Sequence, residues 1–188
     1  MIEQLKITLP LPKSVNYIYG RNKFGSTYLK KEGKDYKNNA IKEIKKQVKL
    51  QKWTKLKEGE FCYFDTVVYM NKKGRDNDNI YKLLQDSCTL SGVVWYDDTY
   101  VWSRTQRSYI DNNNPRVEIS IMPSYTIGVF ENSKHYKDFM SENCDKCKKK
   151  HDGTKGTCRI HSNLLENRIV NEVKFNGMNI KCKKIKIK

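Results

Sequence analysis

The sequence predicts a mixed α/β (α+β) protein: a mixed β-sheet carrying two helices, followed by a small cysteine-rich C-terminal module. Three observations predict it. Apolar residues alternate at Leu5, Ile7 and Leu9 and dominate residues 61–70, FCYFDTVVYM, as strands require. Apolar residues recur at four-residue spacing at Tyr36, Ala40, Ile44 and Val48, the spacing of one helix face. Four of the six cysteines, Cys144, Cys147, Cys158 and Cys182, fall late in the chain. These place one domain over residues 1–123 and a basic extension over 124–188.

The elements follow in order. The first strand ends at Pro10 and Pro12, which lack the amide proton that pairing needs. Residues 13–34, rich in Tyr, Gly and Lys, read as a loop or hairpin facing nucleic acid. The first helix spans about 35–51, with Lys42, Lys45, Lys46, Lys49 and Lys52 on its polar surface. Residues 61–70 are β-branched and aromatic on both faces, which predicts a buried central strand. The loop NKKGRDNDN leads to a second helix over 80–90, with Ile80, Leu83, Leu84 and Ser87 or Cys88 inward and Gly92 as its stop. Residues 99–109 and 116–122 read as strands joined by the DNNNP turn. Leu164, Leu165, Ile169 and Val173 suggest a short helix in the tail.

Composition narrows the partners. A chain of 188 residues buries on the order of two-thirds of its unfolded surface, and three Trp and twelve Tyr supply bulk for a core. The formal net charge is +16, divided as +8 over residues 1–129 and +8 over 130–188. Both regions would attract a polyanion, and nucleic acid is the favoured one. A membrane is disfavoured, since no long apolar run occurs. No export signal precedes the first strand, so the cysteines, Cys62 and Cys88 included, are expected reduced in a cytoplasm.

Acids in a basic chain need an explanation. Asp76 and Asp78 flank Asn77; Asp78, Lys82 and Asp86 share one stripe of the predicted second helix; and Asp97 and Asp98 follow it. Asp78 alone would read as a helix cap, but capping leaves the other acids unexplained. Converging carboxylates repel one another unless a cation neutralises them, and a hard, oxygen-liking ion such as Mg²⁺ or Mn²⁺ does so. A calcium loop starting at Asp76 fails, because Tyr81 and Ser87 stand where its Gly and Glu belong. A sugar-nucleotide transferase would need a larger nucleotide domain. On a polyanion-binding scaffold the chemistry that fits is phosphodiester hydrolysis, with Lys82 beside the phosphate. Lys72, Lys73 and Arg75 near the acids, and Asn16 and Arg21 in the early loop, are candidate DNA contacts.

At these residues a family resemblance enters. The stretch RDNDNIYKLLQDSCTLSGVVWYDDTYV, with ITLPLPKSVNYIY near the start, resembles RusA-type Holliday junction resolvases, many of them phage- or prophage-encoded. The resemblance covers roughly residues 1–122. It implies that Asp76, Asp78 and Asp98 are the essential metal-binding acids, that Asp97 assists, and that Lys82 is the functional lysine. Asn79 and Asp86 match positions where a structural role is as natural as a catalytic one. It further implies Mg²⁺-dependent cutting of four-way DNA junctions in a bacterial cytoplasm by a homodimer, whose two-fold symmetry presents two sites to two strands. The stretch CTLSGVVWY is about one residue longer than in relatives, and typical members end near the position of Pro123.

The tail CDKCKKKHDGTKGTCRIH pairs Cys144 with Cys147 and Cys158 with His161, with His151 and Cys182 as competing ligands. Close pairs of soft ligands suit a structural, tetrahedral Zn²⁺. The rival to a nuclease is a non-catalytic branched-DNA-binding protein that uses the zinc module for recruitment; degraded acids would favour it, and the acids are present.

Overall fold

A computed structural model describes residues 4–73, 78–145, 147, 158–177 and 179–185. The chain divides into two compact units, Met1–Ser124 and Tyr125–Lys188.

The first unit is a four-stranded sheet with two helices packed on one face. Strands β1 (Leu5–Pro10), β4 (Cys62–Met70), β5 (Val101–Ile110) and β6 (Arg116–Pro123) lie in the order β1-β6-β4-β5. Neighbours pair antiparallel except β4 and β5, which run parallel, with a bulge between Thr66 and Val67. The parallel pair needs a crossover. It is supplied by α3 (Tyr81–Ser91), which Gly92 ends in the left-handed conformation (φ 71°). Helix α2 (Lys31–Leu50) buries Ala40, Ile44 and Val48 on β1, β4 and β6, where Leu5, Ile7, Leu9, Phe64, Val68, Val117, Ile119 and Ile121 complete one core. Between β1 and α2, a four-residue helix α1 (Val15–Ile18) leads into a small hairpin, β2 (Tyr19–Arg21) and β3 (Thr27–Leu29).

Gln47 and Gln51 of α2 turn toward β1. Each side-chain amide makes two hydrogen bonds with one residue's backbone, Gln47 with Thr8 (2.9 and 2.9 Å) and Gln51 with Lys6 (3.0 and 2.6 Å). The outward groups of this edge strand are thereby satisfied.

Three expectations shift. Helix α2 starts at Lys31, four residues before the predicted start, because Gly33 lies against Leu29 and Ile18: a Cβ there would stand 2.5 Å from Leu29 Cδ1. Among the described residues of the first unit, helices cover only one face of β4. On the other face, Asp65 is buried beneath the Arg104 guanidinium (2.6 and 2.8 Å), which also lies over the Tyr63 ring. Asp78 is not the cap of α3: it opens a 3-10 turn (Asp78–Ile80), and Ile80 holds the cap position.

The second unit contains α4 (Ser133–Phe139), a π-helical turn (Met140–Cys144), α5 (Arg159–Leu165) and a hairpin of β7 (Val173–Asn176) and β8 (Asn179–Cys182). Its core is small: Phe130, Phe139, Leu164, Val173 and Ile180. The predicted tail helix is shorter than its pattern. It ends at Leu165, since Asn167 takes a left-handed backbone (φ 64°), and Val173 instead opens β7.

Candidate functional site

The acidic residues collect at the two ends of one structural path. Helix α3 begins after the Asp78–Ile80 turn and packs against a second 3-10 turn, Asp98–Tyr100. Helix α1, which carries Asn16, packs against the first turn. Asp76 and Arg75 lie outside the described residues, as does the side chain of Asp78.

Three hydrogen-bonded ties fix this path. At the start of α3 the Tyr81 hydroxyl bonds Thr66 Oγ1 of β4 (2.7 Å) and Thr105 Oγ1 of β5 (2.5 Å). One turn on, Gln85 donates to Ser103 Oγ of β5 (2.7 Å). In the loop after Gly92 the buried Trp95 donates from Nε1 to Thr89 Oγ1 (2.8 Å), while the Val94 carbonyl accepts from Trp53 Nε1 (3.0 Å) and from the Leu56 amide (3.1 Å). The loop that delivers Asp97 and Asp98 is thus anchored on both sides. Periodicity gives no sign of these ties, because the partners of Tyr81 lie 15 and 24 residues away.

Asp97 caps the second turn, its Oδ1 accepting from the Thr99 amide (2.9 Å). That bond holds the Asp97 carboxyl below its ordinary range, with the neighbouring Asp98 carboxyl a lesser contributor. Lys82 and Asp86, one turn apart on α3, form a loose pair (3.9 Å), and Lys82 remains largely exposed. Lys72 and Lys73 follow β4, and with Arg21 at the end of β2 they are exposed, as is Asn16. The β2–β3 tip adds Phe24, 81% exposed, with the Lys23 ammonium over its ring.

An all-carboxylate donor set fits a hard divalent cation. Among the described residues, which exclude Asp76, no three His, Cys, Asp or Glu side chains are already gathered so as to hold an ion. In the second unit Cys144, Cys147, Cys158 and Cys182 border one cavity with His161, whose Nε2 is engaged by the Tyr136 hydroxyl (3.0 Å). The remaining thiols, Cys62 and Cys88, are buried in the first core; burial pushes the Cys62 thiol up to about 12 and Cys88 higher still. No described helix is long and apolar enough to cross a membrane.

A family model described as endodeoxyribonuclease RusA matches residues 9–122. The match runs from the end of β1 almost to the end of β6 and includes both acidic turns. No curated protein matches the chain.

Proposed function

This chain belongs to the endodeoxyribonuclease RusA family, and from that premise we propose that it resolves four-way DNA junctions by paired, metal-dependent phosphodiester hydrolysis, acting as a homodimer. The observation that carries the proposal is the placement of α3, which joins the turn after Asp76 to the turn bearing Asp98, inside the matched region.

Asp76, Asp78 and Asp98, with Asp97 beside them, would hold Mg²⁺ or Mn²⁺. Such an ion, when bound, polarises a phosphoryl oxygen and makes a coordinated water more acidic. Lys82 projects from the first turn of α3, and its ammonium offsets charge developing on the phosphate. Asp97 accepts from the Thr99 amide at Oδ1, which shapes the turn beside Asp98 and leaves Oδ2 for the ion. Lys72, Lys73, Arg75, Asn16 and Arg21 would take backbone phosphates, positioning DNA without reading its sequence.

The deciding assay compares cleavage of a four-way junction, a flap and a linear duplex with Mg²⁺, Mn²⁺ and no metal. Paired nicks in the junction alone, dependent on metal, are expected. Equal cutting of linear duplex would replace junction resolution with a general nuclease, and binding without cutting in any metal would replace the enzyme with a DNA-binding protein.

A further inference from the structure

The tail cysteines fall outside the matched region and play no part in the chemistry above. They are separated by up to 38 positions in sequence, yet the fold brings them to one place. Cys144 ends the π-helical turn, and the Cys147 amide donates back to its carbonyl (3.0 Å). Cys158 is the residue leading into α5. Cys182 ends β8, and its amide donates to Asn143 Oδ1 (2.9 Å). Asn143 is buried, adjoins Cys144, and donates in turn to the Phe139 carbonyl (2.9 Å). One side chain therefore ties the end of β8 to the turn that carries the first cysteine.

All four residues line a single cavity of about 470 Å³, and all four are free thiols of intermediate exposure.

We propose that Cys144, Cys147, Cys158 and Cys182 hold one structural Zn²⁺ as a tetrahedral tetrathiolate that closes the second unit. Four thiolates leave no open position, so the ion is a cross-link and not a catalyst. Binding releases the thiol protons and leaves a net double negative charge. Arg159 also lines the cavity and partly offsets it, while Lys184 in the same lining is paired with Glu172 (3.5 Å). His161 is assigned to the packing around the ion, its Nε2 hydrogen-bonded to Tyr136, because four thiolates already complete a tetrahedral set. The thiols are not already drawn to ligand spacing, so the ion must pull them in from around the cavity, to about 2.3 Å each. Among the described residues the core of this unit has five buried apolar side chains, a small core that such a closure would reinforce.

The test uses the full chain, purified without chelator, and has a readout separate from cleavage. Elemental analysis should find about one zinc per chain. Exchange of Zn²⁺ for Co²⁺ should give the visible spectrum of a tetrathiolate site. Cys182→Ser should lower zinc affinity by more than about 100-fold, beyond the loss caused by disturbing an outer partner, whereas His161→Ala should stay within that outer range. If Cys182→Ser fails to fold, the Co²⁺ spectrum of the unaltered chain still separates four sulfurs from three sulfurs and a nitrogen. Absence of zinc, iron in its place, disulfides among the four cysteines, or a spectrum with one nitrogen ligand would overturn the proposal. None of these outcomes bears on nuclease activity.

Discussion

The two units hold themselves together by different means. In the first, a sheet and two helices share a core of nineteen buried residues, and polar ties such as Tyr81 to Thr66 and Thr105 act on top of that burial. In the second, five buried residues among those described lie beneath short helices and a two-stranded hairpin, and four thiols gather at one cavity. Small cores stabilise weakly, and proteins commonly supplement them with a metal or disulfide. The contrast teaches that chemistry on this chain can rest on a scaffold held by burial, while the appended unit is the one that the proposed cross-link would reinforce.

The comparison can be broken or sharpened by substitution. Asp98→Asn should reduce metal-dependent cleavage by at least about 100-fold, on the scale of losing a principal charge-stabilising group, while thermal melting is unchanged; retained cleavage would move the chemistry elsewhere. Phe64→Ala, at the centre of β4, should cost about 3–5 kcal/mol in denaturant unfolding. A smaller loss would mean that the first core is less dominant than its burial implies. Gly128→Ala tests the second unit. Its Cβ would stand 2.1 Å from the Leu164 carbonyl oxygen at a φ of 54°, so a loss of roughly 2–3 kcal/mol is expected, seen as faster hydrogen exchange in α5. Equal loss of protection in β4 would erase the distinction between the units.

Tyr81→Phe removes the hydroxyl that ties α3 to two strands. It should cost about 1–2 kcal/mol and lower cleavage without changing DNA affinity, since the acids shift while the basic surface does not. The smallest effect concerns pH. The folded Asp97 carboxyl lies below its ordinary value, so its contribution is fully present above the ordinary carboxylate range and is lost as pH falls through the lowered value. Asp97→Ala should remove that acid-side loss and cost about 1 kcal/mol, as losing a cap does; an unchanged pH profile would deny the Thr99 bond its role.

Much of the first unit is legible in the sequence. Leu5, Ile7 and Leu9 announce β1, and Ile80, Leu83, Leu84 and Gly92 announce α3 and its end. The start of α2 is hidden by Gly33, a poor helix former retained for its fit against Leu29. The parallel pairing of β4 with β5 is hidden too, because pairing is settled by the packing of α3 rather than by either strand's own pattern. The acid positions are readable from the motif, but their fixing is not: Trp95 and Thr89, or Tyr81 and Thr105, meet only once the chain has folded. In the tail, cysteine spacing points to a metal but leaves His161 and Cys182 as rivals. The fold adds what the spacing lacks: Tyr136 bonds one nitrogen of His161, and Asn143 ties the Cys182 amide beside Cys144.

The glutamine amides on β1 have one more consequence. An open sheet has two raw edges, and each can template a further strand. Along β1, Gln47 and Gln51 occupy the backbone groups of Thr8 and Lys6 that a newcomer would need. Growth by strand addition is therefore confined to the β5 side. Two copies joined edge to edge through β5 would exhaust their adhesive edges, making a closed pair instead of an endless ribbon.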